Sequence, residues 1–233
     1  DIADLVFVDP PGTGFTRVFD IKAAGGYWDV MGDAQLFIEL IKKWKKENKR
    51  ESAPLFLCGE SYGTARAAVM LGNAEDLPVA GGIFLSSVFD LTIVNPAPGN
   101  DMPYILFLPS MAAVAAYHQP HKTASGSSPE KAFASAMRFA QNEYIMALGK
   151  GVNLTMTEKK SIAFRLAQLT GLPQSLILEK DLRITPLDFE KNLLAAEGKR
   201  VGQLNGQITG PLNNPGVKPP FDDPSMSFKP SNR

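Results

Sequence analysis

Residues Pro54-Leu55-Phe56-Leu57-Cys58-Gly59-Glu60-Ser61-Tyr62-Gly63-Thr64-Ala65-Arg66-Ala67-Ala68 decide how the chain is read. A short apolar run suited to a buried strand passes through Gly-x-Ser-x-Gly into an alanine-rich stretch suited to a helix. Strand, sharp turn and helix in that order make a nucleophile elbow, which holds the serine Oγ exposed above the sheet edge. The flanking Gly59 and Gly63 are expected to let the backbone turn without Cβ clashes. Ser61 is therefore the candidate nucleophile, and the plainer reading is a glycine-rich turn carrying an ordinary serine. Cys58, the sole cysteine, falls inside the strand and is expected to be buried as a small hydrophobe.

Upstream, Leu5-Val6-Phe7-Val8 has the continuous apolar character of a central strand in a sheet covered on both faces. It runs into Asp9-Pro10-Pro11-Gly12-Thr13-Gly14-Phe15, a loop at the strand's carboxyl end, where open α/β sheets bind ligands. Asp33 is expected to cap a helix with Leu36, Phe37, Leu40, Ile41 and Trp44 on its apolar face. Lys42, Lys43, Lys45 and Lys46 then lie opposite or beside that face as a solvated surface. Downstream, residues 79–87 read as another buried strand, so strands and helices alternate and the sheet is parallel. The fold class is α/β.

After an exit loop over residues 95–103 the pattern turns helical, with no new strand signal. Phe133, Met137, Ala140, Tyr144 and Leu148 recur at helical spacing. Thr155 and Glu158 form a capping box before Ile162, Leu166 and Leu169, and Gly171 is placed to end that helix. Asn153-Leu154-Thr155 is formally a glycosylation sequon, but the cap explains Thr155 better. Thr185 with Pro186 opens a further helix through Phe189, Leu193 and Leu194, which Gly198 could close. The expected organisation is a partial α/β core over 1–100, a linker and helical cap over 101–205, and an extended, proline-rich segment over 206–233.

Lys plus Arg and Asp plus Glu each number 24, which leaves no electrostatic footprint for nucleic acid. No stretch approaches the ~20 apolar residues of a membrane span. His118 and His121 lie too early to serve as the base of a Ser, Asp, His order, and Asp90 and Asp101 are too early for its acid. His-x-x-His without cysteines is a poor zinc pattern, so no metal or other cofactor is expected.

Taken together these residues resemble the serine carboxypeptidases, in particular their bacterial branch. Residues 4–15 are similar to that family's strand and Asp-x-Pro-x-Gly-x-Gly-Phe/Tyr-Ser loop, with Thr16 where serine is usual. Gly59-Glu60-Ser61-Tyr62-Gly63 is identical to its nucleophile motif, and residues 108–113, Tyr117-His118 and Leu182-Arg183-Ile184 resemble cap segments. The resemblance implies an α/β-hydrolase sheet with an inserted helical cap, and a substrate peptide with a free C-terminus. Ser61 would form an acyl-enzyme, the Tyr62 N–H would donate to the oxyanion, and Glu60 would share a proton with the substrate carboxylate. It also implies an extracytoplasmic enzyme made with a signal peptide.

The family's Asn-Gly-Gly-Pro-Gly segment and its catalytic Asp and His have no counterpart here, so the chain is expected to be a central fragment that is inactive alone. A serine esterase or acyltransferase on the same fold, and a non-catalytic hydrolase-like binding module, are the alternatives. Oligomeric state is left open.

Overall fold

Alternating side chains set the architecture of the first ninety residues. In the computed structural model, which describes residues 2–88, 90–119, 123, 128–213 and 222–226, the chain forms two compact units, 1–90 and 91–233. The first contains α1 (Ile21–Ala24), α2 (Val30–Glu47), β1 (Leu55–Glu60), α3 (Tyr62–Asn73) and β2 (Val79–Leu85). β1 and β2 pair in parallel, with Cys58 opposite Ile83 and Glu60 opposite Leu85. Successive strand residues face opposite sides of a sheet. Leu57 thus reaches a core with Phe37 and Ile38 of α2 and Ala67 and Met70 of α3. Phe56, Cys58 and Glu60 are exposed on the alternate positions.

Several expectations for this unit are corrected, the first being that residues 79–87 are a buried strand: β2 is largely exposed, with Ile83, Phe84 and Leu85 all open. Residues 5–8 form no strand: they have no ladder partner, and Phe7 is 91% exposed. An apolar run becomes a strand only where a neighbour accepts its hydrogen bonds, and among the described residues β1 pairs with β2 alone. Cys58 is exposed rather than buried, because only one face of β1 is covered by helices. The cap of α2 is Asp29, one turn earlier than expected, whose carboxylate accepts from the Gly32 N–H at 2.7 Å. Asp33 is freed from capping and pairs elsewhere. Lys45 is buried, its Nζ donating to the Ala53 carbonyl at 2.8 Å, while Leu40 is exposed. The buried stripe therefore sits slightly rotated from the predicted one.

The second unit is mainly helical: α4 (Met102–His118), α5 (Pro129–Phe139), α6 (Ile145–Lys150), α7 (Met156–Thr170), α8 (Gln174–Glu179) and α9 (Pro186–Asn192). An antiparallel pair, β3 (Lys199–Val201) and β4 (Thr209–Pro211), follows. Such short strands leave too few residues for an alternation to be read.

α4 is the central element, packed against α5, α7 and α9, with Ala112, Ala115 and Ala116 fully buried. Its apolar residues lie all round, as befits a buried helix, so it has no stripe to read from sequence, and Pro109 inside it argues against a helix.

The expected helix over 129–148 exists but contains a π turn, Ala140–Tyr144. Before the turn the buried positions are Ala132, Ala136 and Phe139, whereas Phe133 and Met137 are exposed. The i→i+5 repeat places the Phe139 and Tyr144 rings in a stack, centroids 6.0 Å apart. Tyr144 is buried and its hydroxyl donates to the Leu182 carbonyl at 2.6 Å. Burial pushes that phenol far above its ordinary range.

The capping boxes at Thr155 with Glu158 and at Thr185 with Asp188 are both formed, and Gly171 ends α7 in the left-handed region at φ 70°. Among the described residues no helix is long and apolar enough to cross a membrane.

Candidate active site

Ser61 stands between the last residue of β1 and the first of α3 with φ 53° and ψ −122°. A non-glycine residue with that backbone is strained and persists only where its surroundings over-determine it. The constraints are visible. The Ser61 N–H donates to the Leu85 carbonyl at 3.0 Å, prolonging the parallel ladder by one residue. Its carbonyl accepts from the Thr64 N–H at 2.9 Å and from the Thr64 hydroxyl at 2.7 Å. That buried hydroxyl in turn accepts from the Val88 N–H at 3.0 Å, so Thr64 clasps the turn to the chain leaving β2.

The two glycines of the motif have unequal roles. A Cβ at Gly59 would lie 2.3 Å from the Gly63 carbonyl oxygen, so the close approach of strand and helix requires glycine there. A Cβ at Gly63 would meet no heavy atom within 4 Å. The expectation that both relieve a clash is corrected for Gly63, whose backbone is the object that Gly59 must avoid.

Ser61 is the N-cap of α3 but its side chain makes no capping bond, and its Oγ has no partner among the described residues. Tyr62 is the first helical residue, so its N–H belongs to the orphan donors of the helix N-terminus. Partial positive charge accumulates at that end and favours an anion. Glu60 ends β1 and is exposed. Ser61, Tyr62 and Glu60, the three predicted site residues, are thus consecutive on one turn.

Two side chains support it: Arg66, which the sequence reading passed over, and Asp33, which that reading took for a helix cap. Arg66 donates from Nε and Nη2 to the two Asp33 carboxylate oxygens, at 2.7 and 3.1 Å, joining α3 to α2. Its guanidinium lies 4.1 Å from the Phe37 ring centroid and 5.4 Å from that of Tyr62. Spacing held the signal, since Tyr62 and Arg66, like Asp33 and Phe37, are four apart and share a helix face.

The Asp9 loop is also well determined. The Asp9 carboxylate accepts from the Phe15 N–H at 2.8 Å, and its carbonyl accepts from the Thr16 hydroxyl at 2.8 Å. Thr16 thus closes the loop back onto Asp9 with its hydroxyl.

His118 and Asp101 have structural partners. His118 Nε2 lies 2.6 Å from the Gly206 carbonyl, fixing the end of α4 to the loop before β4. Asp101 receives two hydrogen bonds from Arg183, at 2.7 and 2.9 Å. Asp90 belongs to the first unit, and His121 lies outside the described residues. Among the described residues no group of three or more His, Cys, Asp or Glu side chains is placed to hold a metal ion. Set against protein-family models, curated proteins and solved structures, the chain matches none of them.

Proposed function

We propose that this chain carries the nucleophile of a serine carboxypeptidase of the α/β-hydrolase fold, acting on peptides with a free C-terminus. The single observation that carries the reading is the strained Ser61 backbone between a parallel strand and a helix, with its Oγ unbonded. Ser61 Oγ attacks the carbonyl of the last peptide bond and gives its proton to a general base. The Tyr62 N–H stabilises the oxyanion, a contribution of about 3 kcal/mol on the usual scale. Collapse of the tetrahedral species expels the C-terminal amino acid with a proton on its amine, and water then hydrolyses the acyl ester.

His118 and Asp101 are engaged elsewhere and are not assigned as the base or the acid. In the full-length protein Ser61→Ala is expected to lower C-terminal residue release by about 10⁴-fold or more. Unchanged turnover would remove Ser61 from the chemistry.

One observation favours a second reading, a serine esterase or acyltransferase. Glu60 is exposed and makes no hydrogen bond among the described residues, and an esterase needs no carboxyl to share a proton with its substrate. Glu60→Gln separates the two. Loss of peptidase activity with ester hydrolysis kept supports the carboxypeptidase; loss of neither supports the esterase.

A further inference from the structure

A strained serine is only useful if the donor beside it is held still. The Ser61 backbone is clasped from one side by Leu85 and Thr64, as described, but neither contact reaches the side chain of Tyr62. That side chain rests against Arg66, one helical turn further along α3. Arg66 is in turn immobilised from α2: Asp33 grips it with both carboxylate oxygens, and Phe37 supports the guanidinium plane. Side-chain exposure is 17% for Arg66 and 10% for Asp33, so the pair is shielded from the solvent that screens surface ion pairs. A planar fork that holds a carboxylate with two donors while lying within 5.4 Å of two ring centroids is a geometry that arginine provides and lysine does not. Burial first, and then the Asp33 carboxylate, raise the Tyr62 phenol above its ordinary range, so the ring stays neutral in this cluster.

We propose that Arg66, clamped by Asp33, is a positioning residue that fixes Tyr62 and thereby the backbone N–H facing the acyl intermediate. The inference rests on the serine hydrolase reading above. It goes beyond that reading by assigning work to two residues outside the Gly-x-Ser-x-Gly motif. Arg66 touches no reacting atom; it acts through Tyr62. The expected signature is a kcat effect, because a misplaced oxyanion donor weakens the transition state while leaving substrate binding intact.

The test uses the full-length protein and the variants Arg66→Met, Arg66→Lys and Asp33→Asn. kcat is counted per active site by phosphonate titration, so that misfolded molecules are left out, and Tm is measured alongside. Arg66→Met is expected to lower kcat about tenfold to a hundredfold with KM within about threefold of wild type. Arg66→Lys should recover only part of the loss. Asp33→Asn, nearly isosteric, should reproduce the kcat effect at smaller amplitude even if Arg66→Met folds poorly.

A fall in Tm with kcat per titrated site unchanged would overturn the proposal and leave the cluster a helix brace. A rise in KM alone would overturn it equally. A wild-type protein that neither binds the phosphonate nor releases C-terminal residues would sink the hydrolase reading, and this role with it.

Discussion

The two units bury their residues differently, and the candidate chemistry sits in the less covered one. Residues 91–213 surround α4 with helices on several sides, and Ala112, Ala115, Ala116, Ala163 and Ile177 are wholly buried there. The first unit has a smaller core, made on one face of β1. On the other positions of its strands Phe56 is 64% exposed and Ile83 54% exposed. A sequence rich in buried-type strand residues has here gained a helical layer on one side only. The helical unit is held by hydrophobic burial. The elbow is held mainly by directional bonds: the Leu85 carbonyl, the Thr64 hydroxyl and the Asp33 to Arg66 pair.

That contrast predicts that stability and serine chemistry respond to different substitutions. Leu166→Ala in α7 empties a fully buried site and is expected to cost about 3 kcal/mol in denaturant unfolding, with reactivity at Ser61 unchanged per folded molecule. Gly59→Ala drives a Cβ into the Gly63 carbonyl and is expected to cost about 2 kcal/mol and to abolish the chemistry, because the elbow must open. Gly63→Ala, with open space around its Cβ, should stay within about 0.5 kcal/mol of wild type. Equal losses from the two glycine substitutions would break the account of the turn.

Smaller effects sharpen the contrast. Glu158 closes the capping box of α7; hydrogen bonds from Lys150 and then from Thr155 hold its carboxyl down to about 2. A depressed folded pKa contributes stability above the ordinary carboxylate range and loses it as pH falls toward the folded value. Glu158→Gln should therefore destabilise at neutral pH by a modest amount, and the gap from wild type should close as pH is lowered from 5 toward about 2. A gap independent of pH would assign the effect to helix propensity. Least of all, Ile83→Thr on the exposed side of β2 should change stability by no more than about 0.5 kcal/mol.

Legibility in the sequence followed the same division. Patterns carried by local chemistry were readable: the strand, turn and helix around Ser61, the parallel partner at residues 79–85, both threonine caps and the stop at Gly171. What depended on neighbours was not. Residues 5–8 have the composition of a strand but no ladder, and Cys58 has the surroundings in sequence of a core residue but no layer above it. α4 was hidden because it is apolar all round and contains Pro109, and the π turn at Ala140–Tyr144 shifted the buried face by one residue ahead of it. At the site, Ser61, Tyr62 and Glu60 came from the motif, whereas Thr64, Asp33 and Arg66 act across the fold. Each helix shows its own face through the i, i+4 spacing, but only the packing of the two faces brings Asp33 to Arg66.

The most direct test of the central claim is covalent. The full-length protein is incubated with a serine-directed phosphonate, digested and mapped by mass spectrometry. The account predicts a single adduct, on the peptide containing Ser61, and none in Ser61→Ala. Absence of an adduct on Ser61, or labelling at a different serine, would contradict it.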